Sequence, residues 1–222
     1  MKIARGGETG VRREKTGACA STRRIAARAA LIAAALLSVG AGAVEVEGVK
    51  IEDRIRLGKG GPELVLNGAG VRHRMAFIQV YIGALYLTAK GTNAEEIIED
   101  PGAKRVLMHI LADEVTAREF IASLNNALAA NHIPAELALV ESRIRALNRM
   151  MSDVGALKKG GVVLLDYLPG AGTRITVNGQ EKIIIKGEDF FQALLRIWIG
   201  RKPVDGRLRD AMLGGGSGFR LF

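Results

Sequence analysis

Residues Leu64 to Lys90, LVLNGAGVRHRMAFIQVYIGALYLTAK, decide the fold. Two runs rich in Val, Ile, Leu and Tyr read as buried strands. They are joined through Asn67-Gly68-Ala69-Gly70 and a basic patch, Arg72-His73-Arg74. Asn67-Gly68 predicts a tight turn, because such residues reach positive φ at little steric cost. Arg72 is the unusual member, a fixed cation entering an apolar stretch. An arginine cannot shed its proton, so a buried one needs an anion or several acceptors. No acidic residue lies between Glu63 and Glu95 to serve locally. A bound carboxylate is one way to complete such a site, and a strand-end arginine with its stem laid over the sheet is the other. Arg72 and Tyr81 are nine apart, an odd number that puts them on opposite faces of a single strand. They converge only if Met75 to Ile78 breaks it.

The stretches on either side supply the rest of an α+β chain. Val44 to Leu57 alternates in part and predicts a strand or two, closed by Gly60-Gly61-Pro62. Asn93 caps a short helix that Pro101 and Gly102 end. Lys104 to Leu111 predicts a strand. Thr116 and Glu119 make a capping-box pattern ahead of a helix to Asn131 that carries Phe120, Leu124 and Leu128 on one face. A second helix starts at Pro134 and runs to Met151, with Arg143, Arg145 and Arg149 on a solvated face. Three strands follow: Val162–Leu168, Thr173–Val177 and Gln180–Lys186, the last two joined by Asn178-Gly179. Gly187-Glu188-Asp189 opens an amphipathic helix ended by Gly200 and Pro203, and a short helix at Leu208–Leu213 precedes a Gly-rich tail. This order predicts an antiparallel sheet with helices on one face.

The front of the chain reads differently. Residues 1–28 carry eight Lys or Arg against Glu8 and Glu14, and an eleven-residue core, apolar but for Ser38, follows at Ala29–Val39. Ala41 and Ala43 then give the A-x-A pattern of a signal-peptidase site. The apolar core is too short to cross a bilayer, which takes about 20 helical residues. The expectation is a signal peptide over 1–43 and a mature domain over 44–222, exported to the periplasm, with membrane contact only through a retained leader. The net charge of +9 falls to +3 without that leader, so the basic balance does not argue for nucleic acid. The single cysteine, Cys19, belongs to the leader, which leaves the mature chain without disulfides or thiolate-held metal.

The segment N-G-A-G-V-R at Asn67–Arg72, followed by V-Y-I-G-A-L-Y-L at Val80–Leu87, resembles the chalcone isomerase-like family. F-F-Q-A-L-L-R-I-W-I-G at Phe190–Gly200, with Pro203-Val204 and R-D-A-M-L-G at Arg209–Gly214, is similar to that family's C-terminal helices. The resemblance implies an open-faced β-sandwich with a ligand cleft between a large antiparallel sheet and its helices. It places Arg72 where plant chalcone isomerases have an arginine facing the cleft, and where fatty-acid-binding relatives hold a carboxylate. Tyr81 falls where those binders carry a tyrosine. Phe120 stands where the enzymes carry a catalytic tyrosine, Ile197 replaces a small hydroxyl residue, and Asn125 or Asn126 matches a polar cleft residue.

Cyclising a chalcone needs hydroxyl donors to stabilise enolate charge, and neither Phe120 nor Ile197 can donate; one lost donor costs about 3 kcal/mol. The expected function is therefore binding of an apolar, fatty-acid-like carboxylate, with Arg72 as anion anchor, Tyr81 as second donor, and Phe120, Asn126 and Ile197 in the site. No cofactor and no metal is expected. Three alternatives stand beside it. One is an isomerase acting on a phenolic or polyketide substrate. Another is a haem or tetrapyrrole binder using Arg72 with His109 or His73. The last is a module with no small ligand.

Overall fold

The computed structural model describes residues 42–75 and 77–215, so the leader expected over 1–43 lies almost wholly outside the described residues. Eleven strands occur among them: β1 Ala43–Val46, β2 Val49–Glu52, β3 Arg54–Arg56, β4 Glu63–Arg74, β5 Ile78–Leu87, β6 Lys104–Ile110, β7 Glu114–Thr116, β8 Ala156–Lys158, β9 Val162–Leu168, β10 Gly172–Val177 and β11 Gln180–Ile185. The helices are α1 Ala94–Glu99, α2 Ala117–Asn131, α3 Pro134–Val154, α4 Glu188–Ile199 and α5 Gly206–Met212. Seven strands form one antiparallel sheet in the order β11-β10-β9-β6-β5-β4-β3. β1–β2 is a separate hairpin, and β7 and β8, on either side of α2 and α3 in the chain, form a second two-stranded antiparallel pair.

Period-two alternation sorts the side chains of the sheet into two apolar clusters. Tyr81, Leu85, Met108, Ile110, Val163 and Leu165 pack with the helices. Ile82, Ala84 and Tyr86, on the other face of β5, pack with Leu64 and Leu66 and with Val44 and Ile51 of the β1–β2 hairpin. α4 is the central helix: Phe190, Phe191, Leu194, Leu195, Ile197 and Trp198 are all buried. The capping box expected at Thr116 and Glu119 is present and starts α2. Asn178 and Gly179 both take positive φ at the β10–β11 turn. Arg143 departs from its expected solvated role. It holds the Asp189 carboxylate with two hydrogen bonds of 2.6 Å, keeping that carboxyl below the usual range and tying α3 to the start of α4.

The turn expected at Asn67–Gly70 is not there. β4 runs straight through it, with only a bulge between Leu66 and Gly68, and the chain reverses at Met75–Phe77. The glycines are needed for space rather than for positive φ. A Cβ on Gly68 would sit 1.9 Å from the Ala211 carbonyl oxygen, and one on Gly70 would sit 2.7 Å from the Ala211 methyl. α5 therefore lies directly on the β4 backbone. Asn67 fastens it there, donating to the Met212 carbonyl at 2.7 Å and to the Gly91 carbonyl at 2.9 Å.

Candidate functional site: a cationic hollow under the helices

The reversal at Met75–Phe77 makes Arg72 and Tyr81 direct cross-strand partners, which puts both side chains on the helix face of the sheet. The odd spacing is resolved by a strand break, as the sequence required. Beneath α2 and α4 the two residues line a hollow of about 120 Å³, whose walls include Met108, Ile110, Phe120, Leu124, Ile197 and Trp198. Arg72 places its guanidinium carbon 5.5 Å from the centre of the Tyr81 ring. One of its terminal nitrogens donates to Ser123 Oγ at 3.0 Å. Its Nε is buried with no hydrogen-bond partner. Among the described residues no carboxylate pairs with it, and an unneutralised cation against apolar walls is costly.

Tyr81 is held by its neighbour on α4. Trp198 Nε1 donates to the Tyr81 hydroxyl at 2.9 Å. With a lone pair occupied by that bond, the phenolic proton remains to be donated elsewhere. Burial pushes the Tyr81 hydroxyl well above its ordinary value, while the Arg72 charge and the Trp198 bond pull less strongly the other way. The residue is thus a neutral donor across the physiological range. Side by side, a fixed cation and a neutral phenol donor suit an ionised oxygen acid with an apolar body.

The rim is polar. Arg74 meets Glu119 at 3.6 Å, joining the β4–β5 hairpin to the first turn of α2. Lys158 on β8 meets Glu114 on β7. Glu119 stays below the usual carboxylate range because the Thr116 backbone and hydroxyl donate to it, with Arg74 assisting.

The structure brings Arg72, Tyr81, Phe120 and Ile197 together around the hollow. It does not bring Asn126, which is exposed on α2. Six residues beyond Phe120, that position has turned to the far side of the helix, whereas Ser123, three beyond, shares the face of Phe120. Asn125 also faces away, accepting a hydrogen bond from Asn148 at 3.3 Å. Ser123 and the Trp198 donor are what sequence reasoning missed. The i, i+3 spacing from Phe120 would have found the serine. The Trp198–Tyr81 bond had no sequence signal, since its partners are 117 residues apart.

Neither histidine considered for a tetrapyrrole lines the hollow. On β6 it is Met108 and Ile110 that face it, and strand alternation turns His109 to the opposite face of the sheet. The His73 backbone N–H donates to Asp205 at 2.8 Å, and its ring lies 3.8 Å from the same carboxylate.

A large curled antiparallel sheet, helices on one face and a cleft between them define the chalcone isomerase fold. The chain belongs to the chalcone isomerase-like family, which it matches over residues 43–214. Among solved structures it is similar to the crystal structure of an Arabidopsis thaliana fatty-acid binding protein. The TM-score is 0.52 at 16% sequence identity, covering 72% of this chain and 95% of the plant protein. At that identity the likeness is one of fold. A search of curated proteins gave no match.

Proposed function

We propose that the protein binds an apolar carboxylate, fatty-acid-like, with Arg72 holding the carboxylate and Tyr81 donating a second hydrogen bond. The observation that carries this reading is the Arg72 side chain on the wall of an apolar hollow, its Nε buried and without a partner. An ionised oxygen acid completes that coordination and offsets the cost of the charge. That the similar plant structure is of a fatty-acid binding protein supports the same ligand class.

The size of the hollow sets how the ligand lies. An apolar cavity of roughly 150 Å³ holds one benzene, so about 120 Å³ takes a carboxylate and its first few methylenes. The rest of a longer chain extends beyond the hollow, past its polar rim. Phe120 and Ile197 supply apolar wall where an isomerase needs hydroxyl donors, which favours binding over cyclisation. The leader pattern at 1–43 fits export to the periplasm, and the reading places the protein there.

The test is calorimetric titration of the purified protein with dodecanoate and with its methyl ester. Binding of the acid and weak or absent binding of the ester is the expected result. Equal binding of both, or of neither, refutes the proposal. Turnover of chalcones by the same preparation would favour the isomerase reading instead.

A further inference from the structure

The β4–β5 hairpin ends in exposed apolar side chains. Met75 is 73% exposed, Phe77 is 77% exposed and Ile78 is 36% exposed. Turns are ordinarily filled by Gly, Asn, Asp or Pro, each for a backbone reason. Here Met75 instead takes φ +53, a left-handed conformation that its side chain disfavours. An apolar tip held in water at a strained turn gains nothing from the fold, so what stabilises it lies outside the chain. The tip also has a definite location. Arg74 and Ile78, the residues that flank the turn, both line the ligand hollow. Apolar tip and cavity mouth are therefore adjacent.

We infer that Met75 and Phe77 insert into a lipid surface and set the mouth of the hollow against it. A patch of two largely exposed side chains is far smaller than the roughly 800 Å² per partner of a stable protein interface. A bilayer makes no such demand, because each apolar side chain that enters the headgroup boundary is stabilised independently of shape. Arg74, which flanks the turn and meets Glu119, and Lys158, which meets Glu114, keep exposed cationic side chains at the rim, where an anionic headgroup can reach them. The acyl ligand would then pass between bilayer and hollow without crossing water. That last step rests on the proposed function, whereas insertion of the tip does not.

The experiment places a reporter at the tip. The full-length Phe77→Trp variant is mixed with phosphatidylcholine–phosphatidylglycerol vesicles whose acyl chains are plain or brominated. Wild type, whose one tryptophan, Trp198, is buried, gives the background. A vesicle-dependent blue shift, quenched by the brominated chains, is expected from the variant alone. Unchanged emission overturns the inference, even if the leader carries the protein onto vesicles. A blue shift that needs no vesicles and grows with protein concentration overturns it in favour of self-association.

The Met75→Ser/Phe77→Ser variant separates the two readings. Its tip should partition into vesicles roughly tenfold less per side chain removed. Transfer of dodecanoate from vesicles should slow, and its affinity in solution should not change, since neither residue lines the hollow. Equal transfer rates overturn the link between tip and hollow. Failure of wild type to bind dodecanoate in solution refutes the cavity reading and leaves the tryptophan result standing.

Discussion

Replacing Arg72 by methionine should leave the unliganded protein about as stable as before and remove most of its affinity for a carboxylate. Methionine keeps the unbranched stem that packs against the sheet and removes the guanidinium, with its charge and its hydrogen bonds. In the free protein the guanidinium contributes one charge-assisted bond to Ser123, about 1.5–3 kcal/mol. Its contact with the Tyr81 ring adds about 0.5–2 kcal/mol. Against these stand the unpartnered Nε, about 1–3 kcal/mol, and the cost of holding a cation without a counter-ion. The favourable terms come to about 2–5 kcal/mol and the unfavourable ones to at least about 1–3 kcal/mol, so they largely offset each other. In the complex the carboxylate supplies the missing acceptors, and losing its charged bonds costs about 2–3 kcal/mol, roughly 30–150-fold in Kd.

Urea unfolding without ligand reads the first quantity, and titration with dodecanoate reads the second. The variant should also lose the wild-type preference for the acid over its methyl ester. A variant destabilised by about 3 kcal/mol or more that still binds dodecanoate normally would show Arg72 to be a structural residue.

Other consequences can be measured directly. Tyr81→Phe leaves the buried Trp198 N–H without its acceptor and should cost about 1–3 kcal/mol in urea unfolding, with a further loss of carboxylate affinity in titration. All three tyrosines have phenols raised above their ordinary value, Tyr81 and Tyr86 by burial first and Tyr167 by burial and the nearby Glu188 carboxylate. The folded protein should therefore show no phenolate absorbance change near pH 10. Because a raised folded value favours the protonated native state, stability should be intact below pH 10 and fall above it, by up to about 1.4 kcal/mol per pH unit for each of Tyr81 and Tyr86. A normal phenolate titration in the folded protein would contradict this. Gly68→Ala drives a Cβ to 1.9 Å from the Ala211 carbonyl oxygen. It should cost about 1–3 kcal/mol and speed amide exchange in α5, and unaltered exchange would refute the packing argument.

Much of the architecture was legible because its signals are local. The Thr116–Glu119 capping box, Pro134 opening α3 and the Asn178-Gly179 hairpin each depend on residues a few positions apart. Asn67-Gly68 shows the limit of that reasoning. The same pair that makes a turn elsewhere sits inside a strand here, because α5, some 140 residues later, needs the missing side chain for its seat. Asn126 shows another limit: on a helix, a shift of a few positions decides whether a polar side chain meets the hollow or the solvent.

The sequence by itself determined the family, the helices and most of the sheet strands in their order, and the presence of an arginine that no neighbour along the chain could neutralise. It also showed that Phe120 and Ile197 bring no hydroxyl to the site. Only the tertiary structure decided that Arg72 and Tyr81 face each other, that Trp198 orients the phenol, that Ser123 takes one guanidinium bond and that Nε takes none. Local patterning records which face a residue belongs to within its own element. The pairing of faces depends on contacts between segments distant along the chain, and these form only when the sheet closes under its helices.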